Sequence, residues 1–386
     1  MPPAGKRHVQ SLLLALATSL GSHAMATGDQ GRMDATVQQA AEEVMRQYGI
    51  PGLAIAVTVK GERYFYNYGV ASRATHQAIT RDTLFEVGSV SKTLNVTLAT
   101  YAEAHGKLSL TRSPSDYLPE LKGSKLDQVT LVNLATHTAG GFPLQLPDEV
   151  RNDQQLMDYY RSWQPRFAPG THRTYANPSI GLLGAVTARR LGLSYAKAME
   201  TELLPKLGMG NTFIEVPASA MPRYAQGYSK DDAPVRLNPA VLADEAYGVK
   251  SSSQDLLRFV EANLGLAEVD ANLQRAIDAT RTGYYKLGAM TQDLIWEQYP
   301  YPAALDTLQA GNSSRMALES MAVTALNPPT PPQEAVWVNK TGSTNGFGAY
   351  VAFVPVKKLG IVLLANKNYP NEERVKLAYR ILGQLE

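Results

Sequence analysis

The 386-residue chain carries 37 Lys and Arg against 35 Asp and Glu and has no cysteine, so disulfides, thiolate metal sites and a cysteine nucleophile are excluded. Charge so near balance argues against a nucleic-acid partner, which needs a clustered basic face. The length allows one large core or two smaller ones, roughly two domains.

Residues 1–26 have the layout of an export signal peptide: Lys6, Arg7 and His8 first, an apolar run over 12–20, then Ala24-Met25-Ala26, a small-x-small cleavage site. That run is too short for a bilayer span, which takes about 20 residues, and no later stretch reaches that length. No membrane anchor is therefore expected once the signal is removed. Taking Lys6 and Arg7 from the basic count leaves 35 against 35 in the mature part. An exported chain without disulfides points to a bacterial periplasm.

Residues 33–48 have helical spacing (Val37, Ala40, Ala41, Val44, Met45) and stop before Gly49 and Pro51. Residues 53–59 and 64–70 read as strands around Lys60-Gly61-Glu62, a hairpin signal. A helix over 89–106 opens at Ser89, lacks Gly and Pro inside, and closes on Gly106. Residues 108–175 read as loops and short helices, 180–191 as a buried helix and, past a turn-rich middle, 253–264 as another helix. Asn327-Pro328-Pro329-Thr330-Pro331-Pro332 is expected as a stiff surface crossing rather than strand interior. Val336, Val338 and Lys340 then alternate with Trp337, Asn339 and Thr341 at period two. Strands over 347–354 and 360–364 follow, and an amphipathic helix over 372–385 closes the chain. Strands at both ends with helices between predict an α/β (α+β) fold. One antiparallel sheet is built from both termini and flanked by helices, beside a mainly helical second lobe. The α/β lobe would take about 27–105 plus 176–386, the helical lobe about 106–175.

Three short motifs carry the chemistry. In Ser89-Val90-Ser91-Lys92 the lysine stands one helical turn above the serine, and a serine hydroxyl needs a nearby base to become a nucleophile. The pattern alone says little, because Ser194-Tyr195-Ala196-Lys197 repeats it on what reads as an ordinary helix surface. Tyr175-Ala176-Asn177 adds a phenol, which titrates near 10 and needs its anion stabilised to act as a base. Lowering it by about three units takes roughly 4 kcal/mol. One ammonium about 4 Å away supplies that much at an effective dielectric of 20, and Lys92 and Lys340 are two. Their protons are coupled, so which of Lys92 and Tyr175 is the base stays open. Asn177 can hold Lys92 and a substrate carbonyl together. In Lys340-Thr341-Gly342-Ser343, Gly342 admits a ligand close to the backbone. The N–H groups of Ser343 and Ser89 can form an oxyanion hole, and Lys340 and Thr341 can hold a carboxylate. Of the four histidines past the signal (76, 105, 137 and 172) none has zinc-hydrolase spacing. Gly-x-Ser-x-Gly is absent too.

Together the motifs resemble those of the penicillin-recognising serine enzymes, with tyrosine opening the middle one as in the class C β-lactamases. The resemblance runs through nearly all of the mature chain. It includes Ile50-Pro51-Gly52, Phe85-Glu86-Val87-Gly88-Ser89, Pro143-Leu144-Gln145, Ala246-Tyr247-Gly248-Val249-Lys250, 339–350 and 365–370. It implies a β-lactamase/transpeptidase-like fold and a cephalosporin-hydrolysing enzyme without metal or organic cofactor. Ser89 would be acylated, with Lys92, Tyr175 and Lys340 as its catalytic partners. Gln145 and Asn177 would contact the substrate's side-chain amide, and Tyr247 would line its side chain. Lys340, Thr341, Asn371 and Arg374 would surround its carboxylate. The same motifs serve D-alanyl-D-alanine peptidases, related esterases, and penicillin-binding sensors that acylate without turnover. A monomer is the default for such a two-lobed enzyme. His137 stands where many relatives carry tyrosine, and Asp293 and Ile295 where glycines are common. These departures are expected to touch substrate range and local packing.

Overall fold

A computed structural model describes residues 19–385, with side chains from residue 30 onward. Most of the expected export signal therefore lies outside the described residues. Helix α1 runs Ser19–Tyr48, starting earlier than the periodic pattern at Met33. The expected terminal hairpin forms as β1 (Gly52–Val59) and β2 (Glu62–Gly69). The later sheet strands are β3 (Gly283–Leu287), β4 (Met290–Gln292), β5 (Glu297–Pro300), β6 (Thr324–Thr330), β7 (Val336–Ser343), β8 (Gly348–Val354) and β9 (Leu359–Ala365).

These nine make one antiparallel sheet in the order β6-β3-β4-β5-β7-β8-β9-β1-β2. The C-terminal β9 pairs with the N-terminal β1, Leu53 opposite Ala365 and Val59 opposite Leu359. Both ends of the chain thus meet within one sheet, toward its β2 edge. Two expectations need correction. The turn-rich middle contributes β3 to β5, strands of three to five residues too short to show a period of two. The proline-rich crossing is strand β6, tolerated because it is an edge whose register slips between Ala325 and Thr330, where no ladder donor is needed.

Successive strand residues face opposite layers. Leu53, Ile55, Val57, Ile361 and Leu363 pack under α1 and the closing helix α6 (Asn371–Leu382). Ala54, Ala56, Val362 and Leu364 face three helices: α2 (Ser91–Ala104), α4 (Ser253–Asn263) and α5 (Ala271–Ala279). With both faces covered, β9 is buried at every residue, and so reads as a continuous apolar run. The third core belongs to the second lobe, where Leu121, Leu131, Tyr160 and Trp163 meet Ile180 and Leu183 of α3 (Asn177–Leu191). Helix α3 starts three residues before the apolar run suggested, with Pro178 inside its first turn.

Helix α2 belongs to two cores at once. Val90 just before it, with Leu94 and Leu98, faces the sheet side, while Val96, Ala99 and Ala102 face the helical lobe. No polar face is left for solvent, so its threonines satisfy themselves. Thr93 donates to Val90 O, Thr97 to Thr93 O and Thr100 to Val96 O, at 2.7 to 3.0 Å. The N-terminal end of this helix lies on the seam between the lobes, which places Ser89 and Lys92 there.

The strand ends are tied to the middle of the chain by Asn366, just past β9. Its buried amide is shared among the carbonyls of Val70, Ala71 and Gln226, at 3.0 to 3.3 Å. Replacing it by alanine removes all three bonds. Asn366→Ala is expected to lower the unfolding free energy by about 2–3 kcal/mol, read from urea denaturation; an unchanged midpoint would contradict this tie.

Candidate active site

Two glycines bring two stretches of backbone together. Gly88 has φ +52, and a Cβ there would run into the Ser343 backbone. A Cβ on Gly342 would meet Val87 O and stand 3.1 Å from Ser89 N. Only glycine allows this approach, and it sets Ser89 and Ser343 side by side on one wall of a cavity of about 530 Å³. Ser89 sits on the 3₁₀ turn Gly88–Val90 that leads into α2, rather than in the α-helix itself. The three-residue offset still works: Lys92 Nζ donates to Ser89 Oγ at 2.8 Å and to Ala246 O at 2.8 Å. Lys92 is fully buried.

Lys340 shares the inner face of β7 with Val336 and Val338, at the end where that face runs out of apolar residues. Tyr175 follows the short strand His172–Thr174 and precedes α3. Lys92 Nζ lies 5.2 Å and Lys340 Nζ 5.1 Å from the centre of the Tyr175 ring. Burial alone would push this phenol up. The two ammonium groups, Lys340 first, outweigh it, and with Ser89 bring it down from 10.0 to about 8. Burial likewise lowers Lys92 to about 8, opposed by Tyr175 and reinforced by Lys340. Phenol and amine therefore exchange protons over the same pH range, and the arrangement can take a proton from Ser89 near neutrality. The net change in the phenol is smaller than the sequence estimate because desolvation takes back part of the Coulomb gain.

The other expected residues divide. Gln145, Asn177, Tyr247, Thr341, Gly342, Ser343 and Asn371 all line the cavity with Ser89, Tyr175 and Lys340. Asn177 Nδ2 donates to Gln145 Oε1 at 3.0 Å, which pairs the two amides, and Asn177 Oδ1 has no partner. Asn177 does not bond Lys92, whose reach is taken by Ser89 and Ala246. Arg374, expected at the substrate carboxylate, does not line the cavity. It is buried behind β7 and donates to Gly342 O at 2.7 Å and Ser343 Oγ at 3.0 Å, with further bonds to Asn368 and Tyr369. Its position on the covered face of α6 makes it a brace for the cavity wall. The second Ser-x-x-Lys, at Ser194, is a helix cap whose hydroxyl accepts from Lys197 N–H.

Three features escape the sequence motifs. Arg173 is buried and donates to Glu297 at 2.7 Å and Gln292 at 2.6 Å, with its guanidinium 5.5 Å from the Tyr175 ring centre. It is a third cation beside the phenol, but one already neutralised by a carboxylate. Glu86, three residues before Ser89, accepts from Tyr224 Oη, Leu237 N–H and Thr344 Oγ1 at 2.6 to 2.7 Å. It thereby fastens two segments of the cavity rim. Arg236, Leu237 and Asn238 also line the cavity. These pairs join residues more than a hundred positions apart, and no local spacing announces them.

The protein-family model described as Beta-lactamase matches residues 37–386. A β-lactamase of Lysobacter lactamgenus is 54% identical over 349 residues, covering 90% of this chain and 91% of the relative. Among solved structures, a β-lactamase/D-alanine carboxypeptidase from Pseudomonas syringae superposes with TM-score 0.91 at 58% identity, covering 92% of this chain and 99% of that one. A class C β-lactamase in complex with cefoxitin gives TM-score 0.90 at 52% identity, with coverage of 92% and 99%.

Since Lys340 pulls both Tyr175 and Lys92 downward, removing it must move both upward. Ultraviolet difference titration should show one phenolate forming near pH 8 in the parent protein. In Lys340→Met that midpoint should rise by about one to two pH units; an unmoved midpoint would remove Lys340 from the cradle.

Proposed function

The chain belongs to the beta-lactamase family, and from that premise we propose that it hydrolyses β-lactam antibiotics through an acyl-enzyme on Ser89. It is a serine β-lactamase whose structural neighbours are of class C. The observation that carries the mechanism is the 2.8 Å bond from Lys92 Nζ to Ser89 Oγ beside a phenol held at about 8.

As Ser89 Oγ attacks the lactam carbonyl carbon, its proton passes into the Lys92–Tyr175 pair. The negative oxygen that develops is met by the N–H groups of Ser89 and Ser343, worth roughly 3 kcal/mol per donor in such sites. The C–N bond then breaks and the pair returns the proton to the departing nitrogen. In the second half the same pair takes a proton from the water that attacks the ester carbon and returns it to Ser89 Oγ as the C–O bond breaks, freeing Ser89. Two buried ammonium groups keep the pair ready without a histidine. Thr341, Asn371 and Lys340 receive the substrate carboxylate, and Gln145 with Asn177 receives the side-chain amide beside Tyr247.

Preference for cephalosporins, and the antibiotic resistance it would confer, rest on the likeness to class C enzymes. The basic start, the apolar run over 12–20 and Ala24-Met25-Ala26 support export to the periplasm. Among the described residues no helix is long and apolar enough to cross a membrane. A monomer fits a cavity closed by one chain. The P. syringae neighbour is described as a D-alanine carboxypeptidase too, and cleavage of a peptide ending in D-Ala-D-Ala is the second reading.

Mature protein should hydrolyse nitrocefin at a steady rate. Ser89→Ala should lower kcat/KM at least about a thousandfold. Mass spectrometry after cephalosporin exposure should show a transient adduct on the Ser89 peptide. A single stoichiometric burst with a lasting adduct would make it a penicillin-binding sensor, and release of D-alanine without lactam turnover would favour the peptidase.

A further inference from the structure

His137 stands beside Tyr175 without being part of any motif. It follows the helix Leu131–Ala135, is 2% exposed, and has φ +59, a conformation uncommon for a residue with a side chain. Its backbone carbonyl accepts from Thr174 N–H at 2.8 Å. Its ring Nδ1 accepts from Ala176 N–H at 3.2 Å. The residues on either side of Tyr175 are thus both bonded to His137. The rings of His137 and Tyr175 lie 4.2 Å apart, tilted by 39°.

We propose that His137 is a positioning residue that grips the chain before and after Tyr175, and so holds the phenol between Lys92 and Lys340. The inference rests on the acyl-enzyme reading above. Accepting a backbone N–H fixes the tautomer: Nδ1 carries the lone pair and the proton is on Nε2. Burial first, then the cations Arg173, Lys92 and Lys340, hold its pKa well below 6.5, and the ring facing it is the titrating Tyr175 phenol. A second proton would turn Nδ1 into a donor pointed at another donor, and the grip on Ala176 would open. Tyrosine at this position has no acceptor on its ring, so it can copy the packing but not the bond. The grip is required while the proton is moving and not for substrate docking, so its loss lowers kcat rather than raising KM.

Two variants separate the bond from the packing. His137→Phe keeps an aromatic face on Tyr175 and removes the acceptor. His137→Asn restores an acceptor on a residue that tolerates positive φ. Expected for Phe is a loss of about tenfold in kcat or more, with KM within about twofold. The pH dependence assigned to the Tyr175–Lys92 pair should be displaced, while Asn should recover most of the kcat and the parent profile. A Phe variant with parent kcat and pH profile would overturn the proposal. So would an Asn variant as slow as Phe at equal thermal stability. Nitrogen-15 NMR of the parent ring, which needs no variant and no substrate, should find Nδ1 unprotonated and Nε2 protonated at neutral pH. The opposite tautomer would overturn the grip. Absence of lactam turnover by the parent would sink the functional reading alone, since the NMR result stands apart from it.

Discussion

A phenol wedged between two buried ammonium groups is the constraint on which the rest depends. Lys92 and Lys340 are almost without solvent, and Tyr175 nearly so. Bringing charged amines into such a place is costly unless a partner of opposite sign repays it. The only carboxylate on this wall, Glu297, is already bonded to Arg173. The Tyr175 phenol is therefore the group whose titration is coupled to that of Lys92, and the acidity of the one and the charge of the other are set together. Lys340 lowers both. A motif of this kind cannot be assembled from single residues.

The fold answers this demand by making every support rigid. Lys92 rides on a helix that is buried on all sides between two cores. Lys340 stands on a central strand backed by Arg374, whose guanidinium grips Gly342 and Ser343 from behind. Tyr175 stands between a three-residue strand and α3, and it is the one that needs a grip from outside its own segment. Glu86 then joins the rim segments to the strand that leads into Ser89. Side chains held this way lose little further entropy when a substrate arrives.

A strained turn sits close to this construction. Ile295 takes φ +68 in the turn between β4 and β5, a conformation costly for a β-branched side chain. That turn is kept in place because Ile295 is buried in the second lobe's core and its N–H reaches Ala135 O at 2.9 Å. Next to it, Asp293 is buried, and burial raises its carboxyl well above the usual range, with Arg281 and Lys286 opposing. Packing around these two residues holds the turn. It is flanked by Gln292 and Glu297, the partners of Arg173, so its placement bears on the cavity wall.

Residue types and their spacing determined the three motifs, the alternation in β7, the hairpin at β1 and β2 and the closing helix. Each of these is a local pattern of period two or 3.6, or a fixed offset along a helix, and such patterns are written in consecutive residues. Roles for Gln145 and Asn371 come from likeness to a known family and not from spacing. Spacing could not tell that Arg374 faces inward as a brace, that the prolines after Asn327 lie in an edge strand, or that β3 to β5 join the sheet. Nor could it join His137 to both neighbours of Tyr175, or Glu86 to Thr344. Those outcomes depend on which segments distant in the chain meet, from about thirty to more than two hundred residues apart, and on how much water is left between them. Burial decided whether a lysine is an exposed cation or half of a proton-sharing pair, and burial belongs to the folded molecule only.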